Sequence, residues 1–195
     1  MNIYEHFSCW TKVPVRLEHV LAHVKEFGPA DEVSRYPVKF QDYTLTGGLR
    51  VFREIGPPYK DGRVIAQIAY PIEWPEEWQR IVCVKEMLHL VDPPSARSAT
   101  RVQVEQLVRE LTSLAAPSVS IGLPTRMDLL NGHLALVVLA PRAAIDDLWP
   151  MYKSGRLTVE AVAEMLKIPS GYARTALTDE WLKVVERVSQ RAGSL

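Results

Sequence analysis

The feature that most constrains the fold of this chain is an abrupt change of pattern at Pro75. Before it, residues 49–55 alternate apolar and polar side chains, and residues 63–70 are rich in β-branched and aromatic ones. Residues 56–62, which are rich in glycine and proline, separate the two segments and predict a long hairpin loop. After Pro75 every strong signal is helical. The sequence therefore predicts an α+β fold, in which a small antiparallel sheet of about three strands packs on a mostly helical domain.

Prolines, glycines and capping residues set the expected helix boundaries. Apolar residues recur at helical spacing over residues 17–27, between Pro14 and Gly28. Pro75 suits the first position of a second helix, which is expected to run to about Val91. Further helices are expected over residues 100–116, where Thr100 and Gln103 form a capping-box pattern, over 124–140 and 142–149, and from Thr158, Ser170 and Thr178.

Length and charge bound the organisation of the chain and its partners. With 195 residues, the chain is expected to form a single domain over 1–195, with 142–195 as a helical C-terminal subregion. Lysine plus arginine number 23, and aspartate plus glutamate also number 23. Because this balance gives no strong positive field, a dedicated nucleic-acid binder is not expected.

Cysteine usage and hydropathy predict a cytoplasmic protein without a membrane anchor. The two cysteines, Cys9 and Cys83, are far apart and form no Cys-x-x-Cys pair, which argues against a disulfide framework or a thiolate zinc site. No secretory signal precedes Trp10. The longest apolar run, residues 134–140, spans seven residues, against the roughly 20 that cross a bilayer.

The segment Lys85-Glu86-Met87-Leu88-His89 is the motif that bears on chemistry. In a His-Glu-x-x-His helix, residues i and i+4 present two imidazoles to one zinc ion, and the glutamate can act as general base on the metal-bound water. Here Lys85 stands at the first histidine position. A protonated lysine has no free lone pair and brings a positive charge to the place of the dication, so the motif predicts that zinc is excluded.

Three segments place this motif in a recognisable order: residues 79–92 around it, residues 128–141, and residues 155–169. Together with the preceding strand-loop-strand pattern, they resemble the ImmA/IrrE family of zincin-like metallopeptidases. In that family a later helix supplies a third, acidic zinc ligand and ends in an apolar run closed by proline. Asp128 stands where that acid is expected, and Glu105 is a rival because it also precedes an apolar helix.

The resemblance implies a zincin-like fold in which Lys85, Glu86, His89 and Asp128 occupy the former active-site positions. The chain is then a metal-free pseudo-peptidase that acts as a regulatory or protein-binding module, with no cofactor. Since members of the family cleave helix-turn-helix repressors of bacteria and mobile elements, a helix-turn-helix regulator is the partner that the resemblance suggests.

Two other functions remain open at this point. An active metallopeptidase would need a rebuilt zinc site, assembled from His89, Asp128 or Glu105, and a further residue such as His133. DNA binding would use the helix pair after Thr158, whose second helix carries a single arginine and no asparagine or glutamine to read bases. Bound metal would distinguish the first alternative, and a salt-dependent shift on duplex DNA the second.

The sequence also predicts roles for individual side chains. Without a metal, His89 is expected to be hydrogen-bonded within the fold. Lys85 is expected either to pair with the acid at the former zinc-ligand position, Asp128 or Glu105, or to extend to solvent. His19 and His23, four residues apart on the first helix, point away from its apolar stripe and are expected to be solvated. Cys83 is expected to be a buried small hydrophobe.

Overall fold

The computed structural model of the chain describes residues 3–40, 47–56, 62–92, 100, 102–103, 105–107, 122–181 and 183–184. The α+β class is confirmed, because a three-stranded sheet stands among helices. In chain order the elements are α1 (Ile3–Ser8), α2 (Leu17–Phe27), β1 (Glu32–Val38), β2 (Gly48–Arg53), β3 (Val64–Pro71), α3 (Glu76–Leu88), α4 (Leu123–Leu139), α5 (Arg142–Lys153), α6 (Val159–Leu166) and α7 (Ser170–Ala176).

The sheet is mixed, so the expectation of an antiparallel sheet is wrong. Its strand order is β1-β3-β2, in which β2 runs antiparallel and β1 parallel to β3. The hairpin of β2 and β3 occupies one edge of β3, and β1 enters from α2 along the other edge in the same direction as β3. Pro37 interrupts the sequence pattern of β1, so the pattern does not predict this strand. The proline is tolerated there because β1 is an edge strand of this sheet.

The short helix α1 covers part of α2 and changes the environment of one histidine. His19 is exposed, as expected, but His23 is buried, with 7% of its surface accessible. The His23 ring lies 4.5 Å from that of His6 and 6.0 Å from that of Phe7, measured between centroids. The expectation that both histidines are solvated is therefore wrong for His23, because the sequence pattern does not predict α1.

Helix α3 is the central element and contacts β3, α2 and α4. Pro75 is its N-cap and not, as expected, its first residue. The helix ends at Leu88, three residues earlier than expected, and is followed by a tighter turn. There the Leu90 N–H donates to the Met87 carbonyl oxygen at 3.1 Å, and the Val91 N–H to that of Leu88 at 3.0 Å. These bonds span three residues, so the chain turns directly after His89.

Helix α4 buries the apolar run at residues 134–140 against α3, close to the expected bounds. Thr158 caps α6 by accepting a hydrogen bond from the Ala161 N–H at 3.1 Å. The predicted capping box is also present, since the Gln103 N–H donates to Thr100 Oγ1 at 3.3 Å and the Thr100 N–H donates to Gln103 Oε1 at 3.0 Å. Most of the helix expected over 100–116 lies outside the described residues.

Candidate functional site

Helices α3 and α4 bring four of the residues singled out by the sequence to one place. Lys85 and His89 are one turn apart on α3, and Glu86 follows Lys85. Asp128, on the first half of α4, faces them because α4 packs along α3. We call Lys85, Glu86, His89 and Asp128, with the Asp92 described below, the α3–α4 cluster.

The Lys85 ammonium lies between two carboxylates. Its Nζ is 2.6 Å from Asp128 Oδ1 and 3.2 Å from Glu86 Oε1. The side chain of Lys85 is 12% exposed, that of Glu86 5% and that of Asp128 20%. Of the two positions considered for this lysine, the structure has the paired one, in which a buried charge meets opposite charges at hydrogen-bonding distance.

Glu86 owes part of its burial to a glycine in the segment before β2. A Cβ added at Gly47 would lie 2.6 Å from Glu86 Oε1 and 2.6 Å from Val82 Cγ1. No real side chain fits at that distance. The absence of a Cβ therefore allows the backbone at Gly47 to lie directly over the glutamate and to keep water from it.

His89 is held by groups on both sides of its ring. Its Nδ1 lies 2.7 Å from Asp92 Oδ2, and its Nε2 lies 3.5 Å from Asp128 Oδ1. The Asn131 Nδ2 group donates to the same Asp92 oxygen at 2.8 Å. Asp92 is in reach because the chain turns immediately after α3, and Asn131 because it lies one turn beyond Asp128 on α4. His89 is thus hydrogen-bonded within the fold, as the sequence analysis expects.

The cluster changes the pKa of each partner that bridges the two helices. Burial alone would lower the pKa of His89, but hydrogen bonds to Asp128 and Asp92 outweigh it and raise the pKa to about 9. Burial alone would raise the pKa of Asp128, but the hydrogen bond from His89 and the charge of Lys85 lower it to about 2. Burial opposes the charge of Lys85 as well, yet Glu86 and Asp128 together raise the pKa of its ammonium.

These shifts determine what the cluster can do at neutral pH. With Lys85 and His89 protonated, neither has a free lone pair with which to bind a metal or accept a proton. Asp128 is ionised, and its Oδ1 faces both cations. Among the described residues, no group of three or more His, Cys, Asp or Glu side chains has the arrangement of a metal site. The cluster is an internal ion-pair network across the α3–α4 interface.

The structure places the rival candidates elsewhere. Glu105 is exposed, and it is Asp128 that lies beside Lys85. His133 is exposed too, with its Nδ1 at 2.8 Å from the Leu129 carbonyl oxygen, and it lies five residues from Asp128, on another face of α4. Cys83 is buried, as expected, and burial raises the pKa of its thiol to about 11. The sequence analysis missed Asp92 and Asn131.

The helix pair α6 and α7 has an exposed face with little of the chemistry that reads DNA. Arg174 is the one basic residue of α7, while Glu160 and Glu164 are exposed on α6. The other side of α7 packs on the rest of the fold through Tyr172, whose ring lies edge-on to that of Trp78 at 5.5 Å. A packing role accounts for this pair without a nucleic acid.

Comparisons of the chain with protein-family models, with curated proteins and with solved structures found no match. In the described part of the chain, no single helix is both long and apolar enough to cross a membrane. Only α4 and α5 taken together, across a bend of 70°, meet that test of length and composition.

Proposed function

We propose that this chain is a metal-free relative of zincin-like peptidases of the ImmA/IrrE type, and that it acts by binding a protein partner and not by hydrolysis. One observation carries the proposal: the Lys85 ammonium lies 2.6 Å from Asp128 and 3.2 Å from Glu86. In the family that the chain resembles, the position of Asp128 is that of the third zinc ligand and the position of Glu86 is that of the general base. A protein cation thus neutralises both acids in place of a metal cation.

The surroundings of His89 support the same interpretation. A zinc-ligating histidine almost always gives its other ring N–H to a carboxylate or carbonyl, which orients the ring. His89 has this arrangement, with Asp92 at Nδ1 and with Nε2 directed at Asp128. A buried imidazole needs partners for both nitrogens in any case, and this pair of carboxylates is the arrangement that the proposal expects after loss of a metal.

The residues present do not fit a zinc ion. Lys85 offers no lone pair, and its ammonium lies where the ion would meet Asp128. Protein zinc sites normally have at least three ligands, and His89 and Asp128 are the two that remain. Peptidase chemistry through this motif is therefore not part of the proposal.

The experiment that tests the proposal restores the missing ligand. Lys85→His rebuilds a His-Glu-x-x-His helix with Asp128 opposite, whereas Lys85→Met removes the ammonium without adding a ligand. We expect the wild-type chain and Lys85→Met to bind no stoichiometric zinc in a calorimetric titration, and Lys85→His to bind one equivalent. Asp128→Asn in the Lys85→His background should weaken that binding, since it removes the third ligand.

Two results would contradict the proposal. Stoichiometric zinc on the wild-type chain, purified without chelator or affinity tag and lost in His89→Ala, would mean that the site is active and rebuilt. A folded Lys85→His variant that binds no zinc would mean that the cluster is unrelated to a zinc site.

The partner that we propose is a helix-turn-helix regulator, on the strength of the resemblance. The test is co-expression with helix-turn-helix regulators of the organism that encodes the chain, followed by size-exclusion chromatography and mass spectrometry of both chains. A stable complex with an intact partner is expected. A cleaved partner, or no complex with any of them, would refute this part of the proposal.

A further inference from the structure

A second feature of α3 lies on the face opposite the α3–α4 cluster. There an open cleft of about 310 Å³ forms between the start of α2, the strands β1 and β3, and the turn between α6 and α7. Its volume is at the lower end of the range for small-molecule sites. Arg80 and Cys83 of α3 line it, whereas Lys85 and His89 project from the other side of the helix.

Arg80 is an unusual residue to find in the wall of this cleft, because it is a buried cation that forms no salt bridge with a described acid. It is 7% exposed. Its Nε donates to the Lys167 carbonyl oxygen at 2.9 Å, and one Nη donates to that of Val15 at 2.7 Å. Among the described residues, no carboxylate forms a salt bridge with it. Two of the five N–H donors of the guanidinium are thus used, both on carbonyl oxygens, while Glu76 and Glu18 act on its charge without forming a salt bridge.

The rest of the lining leaves a positive excess. Arg16, Arg35, Arg80 and Lys167 line the cleft, against the acids Glu18 and Glu76, which gives a formal charge of four minus two, or +2. Both acids are already paired, Glu18 with Arg35 at 3.2 Å and Glu76 with Lys167 at 3.3 Å. The two cations of the lining that form no salt bridge within the described part of the chain are Arg16 and Arg80.

The start of α2 adds to this field. Arg16 is the N-cap of α2 and makes no side-chain capping hydrogen bond. The first turn of the helix contributes a partial positive charge, which favours phosphate, although the Glu18 carboxylate already accepts a hydrogen bond from its own backbone N–H. Leu17, the first residue of α2, lines the cleft beside Arg16.

We propose that this cleft binds a small molecule that carries a phosphate group, with Arg80 and Arg16 contacting the phosphate oxygens. A phosphate dianion matches the formal charge of +2 and suits the donors of a buried guanidinium. Glu76 and Glu18 act on the buried Arg80 charge without contacting it as salt bridges, so the phosphate would supply a direct ion-pair partner. Glu18 competes with the ligand, and its side chain, which is 68% exposed, is free to move into solvent.

The test is isothermal titration calorimetry of the full chain at pH 7.5 and constant ionic strength, with phenyl phosphate, inorganic phosphate and succinate as probes. We expect saturable one-site binding of both phosphates. Arg16→Ala and Arg80→Lys should weaken it about tenfold or more, the loss expected for one charged hydrogen bond. Glu18→Gln should tighten it, because the competing carboxylate is gone. Arg174→Ala, which removes an exposed arginine outside the cleft, is the matched control and should change nothing.

The outcomes separate a ligand site from a structural arginine. If Arg80 only joins Val15 to Lys167, no probe will bind saturably, or binding will be indifferent to Arg16→Ala and Glu18→Gln, and the proposal is overturned. Succinate binding more tightly than either phosphate would overturn the assignment to a phosphate. Should Arg80→Lys fail to fold by circular dichroism, the variants at the exposed Arg16 and Glu18 still decide the question.

Discussion

Replacement of Lys85 by methionine removes the charge on which the α3–α4 cluster depends and leaves an unbranched side chain only one heavy atom shorter. At an effective dielectric constant of about 20, the contact of 2.6 Å with Asp128 corresponds to about 6 kcal/mol of Coulomb energy, and that of 3.2 Å with Glu86 to about 5 kcal/mol. Desolvation opposes both, and breaking a buried pair costs about 3 to 5 kcal/mol net.

We expect Lys85→Met to fall at the lower end of this range, near 3 kcal/mol. Asp128 is 20% exposed, so water can solvate part of the freed carboxylate, and the His89 Nε2 remains 3.5 Å away as a second cation. For a chain of this size, such a loss lowers the midpoint of thermal unfolding by about 6 to 12 °C. Calorimetry and urea denaturation at pH 7 measure it.

The matched control is Lys39→Met, because Lys39 forms an ion pair of similar length on the surface. Its Nζ lies 2.8 Å from Glu73 Oε1, but the two side chains are 75% and 54% exposed, so little change in stability is expected. Adding Glu86→Gln to Lys85→Met should recover part of the loss, since Glu86, which is 5% exposed, is the acid whose salt bridge is lost without replacement. Equal effects of Lys85→Met and Lys39→Met, or no recovery in the double variant, would refute the ion-pair account.

Two predictions concern the pH dependence of stability. The pKa of His89 is raised from 6.5 to about 9, so its protonation contributes about 3 kcal/mol to the free energy of unfolding. This contribution is complete below pH 6.5 and is lost as the pH rises through about 9. His89→Gln should flatten this alkaline decline in stability, and an unchanged pH profile would contradict the prediction. Burial, followed by the charge of the neighbouring His6, lowers the pKa of His23. The stability contributed by its neutral ring is therefore present above pH 6.5 and is lost as the pH falls below that value. Denaturant titrations of His23→Phe should show a smaller loss of stability in acid than the wild-type chain, and an identical loss would argue against the prediction.

Much of the helical frame could be predicted because its boundaries are local. Gly28 ends α2, Pro75 precedes α3 and Pro141 separates α4 from α5, and each acts through its own backbone. The parallel pairing of β1 with β3 could not be predicted, since it joins residues more than 30 positions apart and Pro37 interrupts the pattern. The short α1 is stabilised by packing and not by its own propensity.

The candidate site was accessible to sequence reasoning only in part. The i, i+4 spacing of Lys85 and His89 identifies one helix face, and an acid at Asp128 follows from the resemblance to a family. Asp92 enters the cluster because the chain turns at once after α3, which no spacing rule predicts. A signal for Asn131 did exist, because it lies three residues after Asp128 and so on the same face of α4.

The central claim is that the Lys85 ammonium stands in for a metal cation, and the most direct test is its own titration. Heteronuclear NMR of the lysine side chains, assigned with Lys85→Met, follows the protonation of each Nζ as the pH rises. Because Glu86 and Asp128 raise the pKa of Lys85 above its ordinary value of 10.5, we predict that its Nζ is still mostly protonated at pH 10.5. A midpoint of deprotonation at or below this ordinary value would contradict the account.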